Sequence, residues 1–260
     1  MLVLIVVAAA VAFSLFVASY QKQVQSEESL QQQKNLESLR IVSLVPALAN
    51  PSDTTWSGLN FTVGSEYVNP SVITGLDING NVVRTYNATI TGQSGWKTYF
   101  PQQNTTAGNL VLPPHAQTNI NITFNPLNPF FGMYSSSFTL PTTSYIRIDV
   151  FTLLLNDFNQ VFVPPTAIAV VTTIQTWNGS AYVTLPVLDG SQSFQPGNGT
   201  VVAWNWNVTN ETSGAHTLYF GQKVVCAVCT APGTTYSAVL TVTNSNYLFA
   251  LTSVTYKVPS

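Results

Sequence analysis

Residues 2–40 read LVLIVVAAAVAFSLFVASYQKQVQSEESLQQQKNLESLR, an uncharged apolar run as far as Tyr20 and then a polar stretch with no proline or glycine. An apolar run of about 18–20 residues is long enough to cross a ~30 Å hydrocarbon core. Leu2 to Tyr20 is therefore expected to sit in a membrane, with everything after Arg40 exported. Gln, Glu, Lys, Leu and Ser dominate Gln21 to Arg40. Most of these are good helix formers, which predicts one helix continuing to about Ser43. About forty residues rising ~1.5 Å each make a rod of roughly 60 Å, twice what a bilayer needs. Val24, Leu30, Leu36 and Leu39 form a stripe too thin for a heptad seam, so the polar half must stand in solvent or line other copies. Ala8, Ala9, Ala10, Ala12 and Ser14 allow close helix approach in lipid and in a bundle alike. A cleaved secretory signal fits poorly, since it would have a basic start, a shorter apolar core and a small-X-small cleavage pattern.

Charged residues make up only 7% of the 260, aromatics reach 12%, and the formal net charge is −2. With 45% hydrophobic content, this is not the composition of a disordered chain. It also offers no basic patch for nucleic acid. Lys22, Glu27, Glu28, Lys34, Glu37 and Arg40 put six of the eighteen charges in the polar stretch. A surface with so few carboxylates changes its charge little on acidification, which reads as suited to an acidic or otherwise harsh exterior. Asn-X-Ser/Thr acceptors occur at Asn60, Asn87, Asn104, Asn121, Asn178, Asn198, Asn207 and Asn210. Beyond an export anchor they point to a glycan-coated outer face.

After Val45-Pro46 the periodicity becomes alternating. Thr118 to Phe124 places Ile120, Ile122 and Phe124 on one face, and Tyr145 to Val150 does the same with Ile146, Ile148 and Val150. Val254, Tyr256 and Val258 repeat the pattern. Short alternating runs separated by turn clusters such as Asp77-Ile78-Asn79-Gly80-Asn81 predict antiparallel sandwiches, and Asn79-Gly80 is a hairpin-turn pair. Val163-Pro164-Pro165 ends an apolar run and marks a boundary. The expected organisation is a mainly β chain: a hydrophobic-then-polar helix over 1–43, then β-sandwich domains over 44–163 and 164–260.

The N-terminal pattern, about 40 residues of uncharged apolar half and polar half leading to a β-rich load, resembles the N-terminal helix of archaeal type IV pilins and related filament proteins. Ile5 stands where bacterial pilins carry an acidic residue. The resemblance implies a helix that leaves the membrane to pack with copies of itself. The region 164–260 resembles a PKD domain, an immunoglobulin-like module of extracellular proteins. Pro165-Thr166-Ala167 suits its opening, Leu188 to Ser193 with Pro196 and Gly199 its early turn, Trp204-Asn205-Trp206 its aromatic strand, and Tyr236 to Asn244 a late strand. Where that family reads WDFGDG, this chain has Trp206-Asn207-Val208-Thr209-Asn210, so the module is a degenerate one. The PKD resemblance implies a spacer or adhesive role, with Trp206 in the core.

Cys226-Ala227-Val228-Cys229 is the only cysteine pair. On a straight strand these residues would lie about 10 Å apart, too far for a disulfide, so a bond needs a local turn. Two buried thiols, or a metal or redox pair, are the alternatives. His115 and His216 are the only histidines. His115 reads as a loop residue and His216 as part of the Ser213-Gly214-Ala215 turn, neither beside a nucleophile motif. Asp77, Asp149, Asp157 and Asp189 are dispersed, without calcium-loop spacing, and Asp189 is expected to hydrogen-bond within its own turn. There is no phosphate-binding glycine loop. No enzyme, metal or cofactor is expected. The expected partners are the chain itself through its helix, the membrane before assembly, and a surface layer or adhesion target. The alternative is a permanently anchored cell-surface binding protein.

Overall fold

The computed structural model describes residues 2–83, 85–90, 93–98, 110–124, 138–177 and 179–259, the side chains of 2–14, 85 and 93–98 excepted. A single helix, α1 (Leu2–Leu36), precedes a body built from antiparallel strands. The helix stops short of the expected Ser43. From Leu39 the sequence LRIVSLVPA forms strand β1 (Leu39–Ala47), so the change of period falls at Glu37-Ser38 and not after Val45-Pro46. The reason is local: Ile41, Val42 and Val45 are β-branched, and β1 finds a partner in β2 (Gly58–Ser65) along its whole length.

The remaining strands are β3 (Ser71–Ile78), β4 (Asn81–Val82), β5 (Thr85–Ile90), β6 (Gln93–Thr98), β7 (Leu110–Leu112), β8 (Gln117–Thr123), β9 (Ile146–Thr152) and β10 (Asp157–Phe162). Beyond the two prolines follow β11 (Val170–Trp177), β12 (Tyr182–Asp189), β13 (Val201–Asn210), β14 (His216–Phe220), β15 (Lys223–Val225), β16 (Thr235–Asn244) and β17 (Phe249–Lys257). Among the described residues they make two five-stranded sheets, β1-β2-β8-β5-β6 and β10-β9-β3-β4 with β7 on β3, then a three-stranded β11-β12-β15 and a four-stranded β14-β13-β16-β17. Asn79 and Gly80 both have positive φ, 51° and 79°, and close the tight β3–β4 hairpin as the Asn-Gly pair predicts.

Alternation decides which residues meet. Ile120 and Ile122 of β8 and Ile146, Ile148 and Val150 of β9 join Phe61, Ile73 and Leu112 in one buried cluster spanning the first two sheets. Trp206, Leu240, Val242 and Cys226 anchor a second cluster in the last two. Each fully buried aliphatic side chain stabilises the fold by about 1.5–3 kcal/mol relative to exposure. The Val163-Pro164-Pro165 segment lies between the clusters in sequence. Leu248, from the β16–β17 turn, crosses back and is buried in the first cluster.

Candidate functional site

Among the described residues, the hydrogen bonds that attach the helix to the body gather at its C-terminal end. The Glu37 carboxylate is buried, and its Oε2 accepts hydrogen bonds from Thr152 Oγ1 at 2.6 Å and Asn156 Nδ2 at 2.9 Å. Asn156 Nδ2 also donates to the Lys34 carbonyl at 2.8 Å, satisfying one of the last-turn carbonyls that a helix leaves open. The β9–β10 turn thus clamps the C-terminal end of α1. Beyond the clamp no side chain of the helix is buried from Leu15 to Leu36, and Leu15, Phe16, Tyr20, Leu30 and Leu36 are 66, 65, 60, 53 and 66% exposed. Among the described residues no helix is long and apolar enough to cross a membrane. Most of the expected span, residues 2–14, has side chains outside that description.

On the outward side of the sheet β1-β2-β8-β5-β6, strands β2 and β8 carry uncharged polar residues, and β1 adds exposed Arg40, Val42 and Val45. Three of the acceptor-motif asparagines stand in a single row across the sheet, because Asn121 of β8 pairs with Asn60 of β2 on one side and with Asn87 of β5 on the other. Asn60 and Asn121 are exposed and Asn87 half-buried. The next row is hydrogen-bonded side chain to side chain, Ser43 Oγ donating to Thr62 Oγ1 at 3.0 Å and Thr62 Oγ1 to Asn119 Oδ1 at 2.6 Å. Asn198 and Asn207 are exposed in the second half, and Asn210 is half-buried with its Oδ1 accepting from the Thr212 and Ser213 amides. Asn104 and Asn178 lie outside the described residues.

A buried amide ties the two halves together. Asn244 is 0% exposed; its Nδ2 donates to the Val163 carbonyl at 3.1 Å and to Gln195 Oε1 at 2.9 Å, and its Oδ1 accepts from the Asn246 and Leu248 amides. Gln195 Nε2 donates to the same Val163 carbonyl at 2.9 Å. The linker is held by two side chains, and the turn that Asn244 shapes delivers Leu248 and Phe249 to the first core, where Phe249 meets Trp56 edge-on at 5.6 Å. Nothing in the local sequence signals this joint, since its members lie 49 and 81 residues apart.

Cys226 and Cys229 occupy a turn, Cα atoms 5.4 Å apart, and form a disulfide. Both are buried. His115 is an exposed loop residue with φ 54°. His216 departs from the turn reading: it opens β14, its Nδ1 2.9 Å from Thr209 Oγ1. The dispersed aspartates are partly brought together. Asp77 and Asp149 stand opposite each other on β3 and β9, both buried, and Arg147 donates to Asp149 Oδ1 from Nε at 2.9 Å and Nη2 at 2.6 Å. Burial pushes the Asp77 carboxyl above its usual range. The Gly80 and Asn81 amides pull it partly back, and the Asp149 charge pushes it up further. Asp189 bonds within its turn to the Ser191 amide at 2.9 Å and pairs with Lys223 at 2.9 Å. Hydrogen bonds from Ser191 and Lys223 hold it down to about 2. Among the described residues no three His, Cys, Asp or Glu side chains gather as a metal site.

No protein-family model matches the chain, and no curated protein matches it.

Proposed function

We propose that this chain is the structural subunit of an extracellular filament of the archaeal type IV pilus kind, with α1 in the filament core and the β body outside. In this reading each half of the body is an immunoglobulin-like antiparallel sandwich, the second a degenerate PKD-like module, and the outward asparagines carry N-linked glycans. The body serves adhesion or contact with a surface layer. The membrane holds the apolar half of α1 before assembly, and no catalysis is involved.

The observation that carries the proposal is the polar half of α1. Isolated helices are marginal in water, and tertiary packing usually supplies their stability. Here no side chain of residues 21–36 is buried, while Glu37 fixes the helix end to the body. A simple anchor needs no such extension, whereas copies packed side by side would cover it and would keep Leu15 and Phe16 dry as well. Electron microscopy of surface material tests this. Regular filaments containing the chain, with residues 2–20 protected from protease, are expected. Monomers recovered only from detergent-solubilised membrane would replace the filament by the anchored binding protein.

A further inference from the structure

A notch of about 380 Å³ opens where α1 leaves the body, walled by Glu27, Leu30, Gln31 and Lys34 of the helix and by Leu153, Leu154 and Leu155 of the β9–β10 turn. Two rules are broken at one residue of that turn. Leu155 has φ 62°, the left-handed region in which Gly or Asn is at ease and a leucine is strained, and it is also 83% exposed. Leu153 beside it is 54% exposed, and Leu30 across the notch 53%. A polar residue at 155 would relieve both the backbone and the solvent contact, so the leucine points to a partner that covers it.

We propose that the notch receives the Leu15–Tyr20 segment of a second copy of this chain, an inference that rests on the filament reading and gives it a specific subunit contact. Three features choose the occupant. The two charged walls, Glu27 and Lys34, are of opposite sign, so the notch offers an apolar floor without net charge. The chain's own exposed apolar stripe, Leu15, Phe16 and Tyr20, is uncharged and bulky. Lipid is out of reach, because Leu30 lies about 15 Å along the helix beyond Tyr20, where the apolar run ends. The chain cannot fill its own notch either, since Phe16 is about 21 Å from Leu30 on the same rigid helix. Notch and stripe are different surfaces of one molecule, so each copy accepts one neighbour and is accepted by another. Such a heterologous contact repeats without closing unless its rotation forms a ring, and open repetition gives a filament. Each copy is then displaced from the next by about 14 helical residues, roughly 21 Å along the axis.

The test uses the full chain in surface material. The native cysteines are bonded to each other and none is free, so Phe16→Cys with Leu155→Cys adds a clean reactive pair. Mild oxidation is expected to give a ladder of covalent multimers on a non-reducing gel, where either single variant stops at dimers. Tyr20→Cys replaces Phe16→Cys if the latter halts assembly. Separately, Leu155→Asn is expected to leave the thermal midpoint unchanged or raised while weakening assembly roughly tenfold or more, the worth of one buried leucine contact. Filaments whose paired cysteines stay unreacted, or Leu155→Asn filaments assembling as well as the parent, overturn the notch contact and leave the filament reading standing. A parent chain found only as detergent-soluble monomers overturns both.

Discussion

Residues 39–162 enclose Val63, Ile73, Ile78, Leu112, Ile120, Ile146, Ile148 and Val150 with no exposed surface, a core of interlocked aliphatic side chains. Residues 164–259 build instead around one indole. Trp206 is fully buried and donates to the Gly221 carbonyl, Trp204 donates to the Gly190 carbonyl, and the Cys226–Cys229 bond lies in the same cluster. A Cβ on Gly190 would come within 3.0 Å of both Leu240 and Trp204, so that glycine is the space the two tryptophans close over. The first half spreads its stability over many similar contacts, while the second concentrates it in a few. Small and dissimilar cores depend more on single large residues and cross-links.

The sharpest way to break this contrast is Trp206→Ala, expected to cost about 3–5 kcal/mol, against about 0.5–1.5 kcal/mol for Ile148→Val in the first half. Chemical denaturation of the two variants would check it; equal losses would erase the distinction. Next comes Leu248→Ala, at about 2–5 kcal/mol. The residue belongs to the second half but fills the first core, so amide exchange should accelerate in β2 and β9 as well as in the β16–β17 turn. Acceleration confined to the turn would show that the halves stand independently. Replacing both Cys226 and Cys229 by Ala removes a four-residue loop closure, worth about 2 kcal/mol on chain-entropy grounds. The melting midpoint should fall without change in the exchange of β8 or β9.

The smallest expected effect is one of pH, and it has opposite signs in the two halves. Asp77 titrates above its ordinary value, so its ionised form opposes folding. The first half therefore gains stability as pH falls from neutral through the raised value, a gain complete near pH 3.8. Asp189 is held near 2, so its contribution is present above about 3.8 and disappears as pH falls through 2. Amide protection factors, that is exchange corrected for its intrinsic pH dependence, should rise in β3 and β9 between pH 7 and 4, while those of β12 and β15 should fall only below 4. Asp77→Asn should abolish the first trend. A large overall loss of thermal stability between pH 7 and pH 3 would contradict the expectation that this sparsely charged chain suits an acidic exterior.

Much of the fold was legible because its signals are local. Alternation marked Ile120, Ile122, Ile146, Ile148 and Val150 as inward, and Asn79-Gly80 marked a hairpin. The helix end was misplaced for the complementary reason: Glu37 and Ser38 suit a helix by propensity, but pairing of Leu39–Ala47 with Gly58–Ser65 outweighs it. His216 was drawn into a strand in the same way, by pairing with Thr209.

By itself, the sequence determined the long helix with an apolar and a polar half, the β-rich body and the low charge of the surface, because composition and period depend only on neighbouring residues. Only the tertiary structure decided which distant residues meet. It placed Asn60, Asn121 and Asn87 in one row, set Asp77 against Asp149, clamped Glu37 to Thr152 and Asn156, and sent Leu248 into the other half's core. Register and packing across tens of residues bring these groups together, and no local pattern encodes them.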